Sequence, residues 1–262
     1  MKRNLYVVLL ALAIMPLAAV SAADVTIQVT NNQPTGGFTF SPFWVAFHDG
    51  TFDSFNSGMA ASPGIENLAE LADATMLNAE FASSGASGVT GLVVSPDAIP
   101  PFTPGESGSM MMDVGDAMMH RYFSFGAMLV PSNDFFFGND DPMGYEIFDA
   151  GGNFLGPITI QLYSDDAWDA GTEVNDLMNG PAFIVGQDAH AGATEGGVVT
   201  PLFSVPGVDA YLAAIVGMET PIGILTDGLD RGELVATIQI IPEPGSLALL
   251  AIGLVSVFGR RR

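Results

Sequence analysis

Val25, Ile27 and Val29 alternate with Thr26, Gln28 and Thr30, and near the other end Leu234, Ala236, Ile238 and Ile240 alternate with Val235, Thr237 and Gln239. A period of two puts every second side chain on one face of an extended chain, so each segment reads as a strand with one buried face. Residues 43–47, 109–114, 122–130, 145–148 and 158–163 read as further strands. Turn-forming residues separate them at 31–34, 48–50, 131–133 and 149–153, the last lying between two apolar runs as in a hairpin. With 31 Gly and 17 Pro the chain is too heavily punctuated for a helical bundle. One helix is expected, with Ser62 as cap, Pro63 at its first position and Ile65, Leu68, Leu71 and Ala72 on one face. Glu66 and Glu70 then fall on the solvent side. Residues 83–91 and 96–108 read as long surface loops. The expected fold is all-β: one antiparallel β-sandwich with long loops and one short helix.

Charge narrows the partners. Between Asp24 and Ile241 stand 28 carboxylates against only Arg121 and Arg231, a net −26. Such a body repels nucleic acid and anionic lipid unless a cation intervenes, so its natural small partner is a metal ion or a cationic surface. No Cys is present, which excludes disulfides, thiol catalysis and Cys-ligated metals. Lys2 is the only lysine, so Schiff-base chemistry and lysine-dependent phosphate loops are excluded too.

Both ends read as addresses. Lys2 and Arg3 precede an apolar run over residues 5–20, broken by Pro16, and then Ser21, Ala22 and Ala23: the layout of a secretory signal peptide over 1–23. At the other end Pro242-Glu243-Pro244 is followed by an apolar segment, 246–258, and by Arg260, Arg261 and Arg262. These elements, in that order, resemble the PEP-CTERM sorting tail of Gram-negative bacteria that secrete exopolysaccharide. The resemblance implies an exosortase-type processing enzyme as partner and transient inner-membrane anchoring through residues 246–258. The expected organisation is a signal peptide over 1–23, a body over 24–241 and a tail over 242–262.

Catalytic signatures are sparse. His48, His120 and His190 are far apart in sequence, and the first two are expected to cap strands or fill polar niches, with His190 in an exposed loop. There is no G-x-S-x-G elbow. Asp165 and Asp166, read as neighbours on a strand, point to opposite faces and suit joint chemistry poorly. Met110, Met111, Met112, Met118 and Met119 are expected to fill gaps in the core.

Two acidic segments stand apart. In Pro131-Ser132-Asn133-Asp134-Phe135-Phe136 one carboxylate sits at a turn directly before aromatics, and in Asp169-Ala170-Gly171-Thr172-Glu173 a glycine allows a tight loop between two acids. Calcium takes six to eight oxygens, and loops at one end of a sandwich can supply them. With Leu162-Tyr163 between them and Ser41-Pro42-Phe43-Trp44 upstream, these segments resemble the spondin N-terminal domain family. That resemblance implies a β-sandwich akin to calcium-dependent membrane-binding domains. It further implies a calcium ion held by Asp134, Asp169 and Glu173, with Glu173 standing where the family has Asp.

The expected function is therefore an exported calcium-binding adhesion or matrix module of a bacterial envelope, with exopolysaccharide or a cell-surface glycan as partner, and not an enzyme. The alternatives are a calcium-dependent hydrolase acting on extracellular polysaccharide and a purely structural matrix protein. A hydrolase needs a general base beside an open metal position, whereas a module needs only closed coordination.

Overall fold

A computed structural model of the protein describes residues 22–97 and 101–243. The expected signal segment up to residue 21 and the tail from residue 244 lie outside the described residues. In chain order the strands are β1 (Ala22–Asn31), β2 (Thr39–Phe40), β3 (Phe43–His48), β4 (Gly88–Val93), β5 (Ser107–Asp116), β6 (Tyr122–Val130) and β7 (Phe135–Gly138). There follow β8 (Ile158–Tyr163), β9 (Ala167–Asp169), β10 (Thr200–Pro201), β11 (Glu219–Thr220), β12 (Gly223–Ile224) and β13 (Leu234–Pro242). The helices are α1 (Pro63–Leu71), α2 (Thr75–Ser84) and α3 (Val208–Ile215).

Two sheets carry the fold, and all their strand pairs are antiparallel. The first runs β5-β1-β13-β8; the second runs β10-β9-β7-β6-β3-β4, with β2 also on β6. Between them lies the main core, where Val25, Ile27 and Val29 of β1 and Ala236, Ile238 and Ile240 of β13 join Phe43, Val45 and Phe47 of β3 and Phe123 and Phe125 of β6. The antiparallel sandwich expected from the alternating segments is therefore what forms.

The second sheet is covered on its other face as well. Trp44 and Ala46 of β3 and Phe136 of β7 pack there against Ile65 and Leu68 of α1 and Leu77 and Phe81 of α2. A strand buried on both faces has no reason to alternate, which is why β3 and β6 read as continuous apolar runs. Trp44 donates its indole N–H to Asn78 Oδ1 at 2.7 Å, fixing α2 on the sheet.

α1 forms as its sequence dictates. Ser62 Oγ accepts from Ile65 N at 3.2 Å and donates to Glu80 Oε2 at 2.8 Å, so one hydroxyl caps α1 and ties it to α2. Ser62→Ala should cost about 1 kcal/mol, the usual worth of such a cap. Urea denaturation would show it as a lower midpoint at unchanged slope.

Several expectations need correction. There are three helices among the described residues, not one. α2 has only Leu77 and Phe81 on its buried side and no side-chain cap, so its periodicity is faint. Residues 83–91 are not a loop: they end α2 and begin β4. The glycines of β4 serve close approach, since a Cβ on Gly88 would stand 2.4 Å from Phe47 O and one on Gly91 2.4 Å from Met112 Cε. Residues 145–148 form only isolated bridges, Glu146 with Tyr122 and Phe148 with Phe154, rather than a strand. Asp165 and Asp166 lie on a short 3-10 turn (Ser164–Asp166), where Asp166 Oδ2 accepts from Tyr163 N. Met111, Met118 and Met119 are exposed instead of filling the core; Met112 alone of the five is buried. Glu70 is half-buried rather than turned to solvent.

Candidate metal centre

The turn between β6 and β7 places the first carboxylate. Ser132 Oγ donates to Leu129 O and accepts from Phe135 N at 3.1 Å, which closes the turn and points Asp134 inward. The second carboxylate ends β9, where Asp169 pairs with Phe135, the residue after Asp134. Ala170 N donates to Asp134 O at 3.1 Å, so the backbone of the second motif is bonded directly to the first.

From there the Asp169–Glu173 loop wraps around Asp134. Its Oδ2 accepts from Thr172 N at 2.8 Å, Thr172 Oγ1 at 3.2 Å and Glu173 N at 3.1 Å. Gly171 makes the wrap possible: its φ is +66°, and a Cβ there would stand 2.6 Å from both N and O of Val198. Gly171→Ala should therefore cost roughly 2–3 kcal/mol, combining left-handed backbone strain with a clash against main chain that cannot rotate away. Thermal unfolding would register it.

Asp169 Oδ1 accepts from Gly171 N at 2.8 Å, and Oδ2 from Asn175 Nδ2 at 2.7 Å. Glu173 is held differently. Its Oε2 accepts from Asn133 Nδ2 at 3.0 Å, and Asn133 Oδ1 in turn accepts from Tyr211 OH at 2.8 Å. Gly192 lies against it so closely that a Cβ would overlap Oε1. The structure thus brings Asp134 and Asp169 together and holds the Glu173 carboxylate on Asn133. Among the described residues no three acidic or imidazole side chains stand together as a ready ligand set.

The electrostatics of the pair are unusual. Asp134 is fully buried, and burial together with the neighbouring Asp169 charge pushes its carboxyl up from 3.8 to about 8. Asp169 is raised as well, chiefly by burial. Glu173 is raised by burial and then by Glu70, and burial with the three acids raises the Tyr211 phenol. Among the described residues no lysine or arginine offsets this. Arg121 is committed to Glu146, and Arg231 bonds Asp209 at 2.9 Å while stacking on Phe203. Two oxygens in this region, Asp134 Oδ1 and Asn175 Oδ1, are buried without a hydrogen-bond partner. Buried polar atoms are nearly always satisfied, so a pair of orphaned oxygens beside paired carboxylates is a set suited to a hard cation.

Asn133, Asn175, Thr172 and Tyr211 belong to this site although sequence reading assigned them no role. For Tyr211 a signal existed: Val208, Tyr211, Leu212 and Ile215 have the spacing of a buried helical face, and all four are buried in α3. Asn133 stood inside the first motif. Asn175 carried no local signal.

Serine and histidine do meet elsewhere. His48 Nδ1 accepts from Gly50 N, so its Nε2 carries the proton and donates to Ser124 Oγ at 2.9 Å. A histidine donating to serine cannot act as its base. His120 Nδ1 donates to Val114 O at 2.7 Å, and Ser87 donates to its Nε2. Both rings fill polar niches at strand ends, as expected, and His190 is exposed.

The Spondin_N family profile matches residues 28–186, a span that holds both acidic motifs and more than half of the chain. The PEP-CTERM protein-sorting motif matches residues 241–262. No curated protein matches the chain significantly.

Proposed function

The chain belongs to the spondin N-terminal (Spondin_N) family, and from that premise we propose that it is an adhesion or matrix-binding module of the cell envelope, braced by calcium at Asp134 and Asp169. Its sorting motif makes it an exported, envelope-associated protein handled by an exosortase-type enzyme and anchored through its tail. Within this reading, residues 1–23 are the signal peptide, 24–241 the binding body and 242–262 the sorting tail.

One observation supports calcium above the others: two buried carboxylates lie side by side with no lysine or arginine of the described residues near them, and an oxygen of one is orphaned. An uncompensated buried charge costs several kcal/mol, and a divalent ion removes that cost. Asp134, Asp169 and Asn175 would hold it, with Glu173 as the third acid of the family pattern. When bound, calcium supplies positive charge and fixes the loops around it; the chain's own residues orient them through the Thr172, Gly171 and Asn133 hydrogen bonds.

The surface fits the same reading. A body of net −26 repels acidic polysaccharide in chelator and accepts it through bridging calcium. Co-sedimentation of the purified protein with anionic envelope polysaccharide tests this. Retention in millimolar calcium and release by chelator are the expected results. Equal retention in both conditions would remove calcium from the proposal, and no retention in either would remove the glycan.

A further inference from the structure

The sorting motif is not wholly outside the folded body. β13 runs to Pro242, which pairs with Val25 of β1, and Ile241 faces Thr26 in the same register. Beyond the strand, Glu243 donates its backbone N–H to Asp24 O at 3.1 Å, and its carboxylate accepts from the Thr26 hydroxyl. The first two residues of the Pro-Glu-Pro triplet are therefore held by the first strand of the sandwich.

They are held on one side only. β8 pairs with β13 no further than Ile240, so Ile241, Pro242 and Glu243 hang on β1 alone. Pro242 has no N–H to offer a second neighbour, which suits it to the end of a ladder. Ile240 and Ile238 are fully buried, whereas Ile241 is exposed, so lifting the last three residues forfeits little apolar contact. Peeling would then stop at Ile240, where strands on both sides clamp β13. Local opening of this kind needs no unfolding of the sandwich.

We propose that Ile241, Pro242 and Glu243 form a latch, for which the folded body and the processing enzyme compete. An enzyme that binds an extended segment of its substrate must engage the main chain and side chains of that segment. Pro242 and Glu243 cannot pair with β1 and lie in such a cleft at once. The enzyme therefore takes the motif only after the end of β13 has left β1, and Thr26 sets how often that happens. The inference rests on the sorting reading of the tail and is independent of calcium.

Thr26→Val keeps the β-branched shape and removes the hydroxyl. In cells carrying the matching processing enzyme, a pulse-chase of the full chain should show tail removal roughly three- to ten-fold faster than wild type, the range expected for one net hydrogen bond. The melting temperature of the body should fall by no more than a few degrees, since global unfolding breaks the same single bond. Thr26→Cys combined with Ile241→Cys places the chain's only cysteines opposite each other; the oxidised form should keep its tail, and reductant should restore processing. Processing of the cross-linked chain at the wild-type rate overturns the latch. A Thr26→Val rate equal to wild type also overturns it, and decides the matter if the cross-link does not form. A wild-type chain that is never shortened removes the latch together with the tail reading, an outcome distinct from equal rates.

Discussion

Calcium at one hundred times its dissociation constant should stabilise the protein by about 2.7 kcal/mol, read as a rise in melting temperature that chelator reverses. The increment should vanish in Asp134→Asn. That variant has a second, opposite signature. Asp134 Oδ2 accepts from Thr172 and Glu173, and an amide oxygen can keep those bonds while the substitution removes the cost of holding a buried carboxyl protonated beside Asp169. In chelator at neutral pH, Asp134→Asn should therefore be at least as stable as wild type, whereas in calcium it should be less stable. A variant that merely damages packing would be less stable in both. Asp165→Asn, at an exposed carboxylate outside the site, is the control and should leave the calcium increment intact. A wild-type melting temperature that does not move across millimolar calcium would sink the site.

How much of this could be read from the sequence follows from which interactions are local. β1 and β13 were legible because each buries one face, and burial of alternate residues writes itself into the chain as alternation. β6 was legible by length and apolarity alone, but nothing in its run says that helices cover one side and a sheet the other. α1 announced itself through Ser62 and Pro63. α2 did not, because the outer face of the sheet asks it for only two side chains, Leu77 and Phe81. β4 was hidden by its glycines, which look like loop punctuation and are in fact sites where Phe47 O and Met112 approach too closely for a Cβ. At the site, Asp134 and Asp169 could be nominated from their motifs. Their partnership with Asn175 and Tyr211 could not, since these meet through loop geometry and through a helix far along the chain. The position of Glu173 on Asn133 belongs to the same class: spacing can name an acid, but only packing decides what its carboxylate faces.

The buried pair also fixes the direction of the pH dependence. In the folded protein Asp134 is raised from 3.8 to about 8, so the folded state holds that proton more tightly than the unfolded chain does. The stabilisation it contributes is complete below about pH 4 and is lost as pH rises through about 8. Asp169, Glu173 and Glu70 are shifted the same way by burial. Asp49, Asp73, Asp149 and Asp176 are lowered by the hydrogen bonds of their turns, and their contribution is lost only as pH falls below the ordinary carboxylate range. The protein in chelator should therefore be most stable in mild acid and weaken steadily towards pH 8. General repulsion within a body of net −26 has the same sign, but salt screens exposed charges far more than buried ones. At high ionic strength the residual slope should belong to the pair, and Asp134→Asn or added calcium should flatten it. Urea unfolding at fixed salt from pH 5 to 8 measures the slope directly, and a chelated wild-type protein that gains stability over that interval would show that the two carboxylates do not share a buried charge.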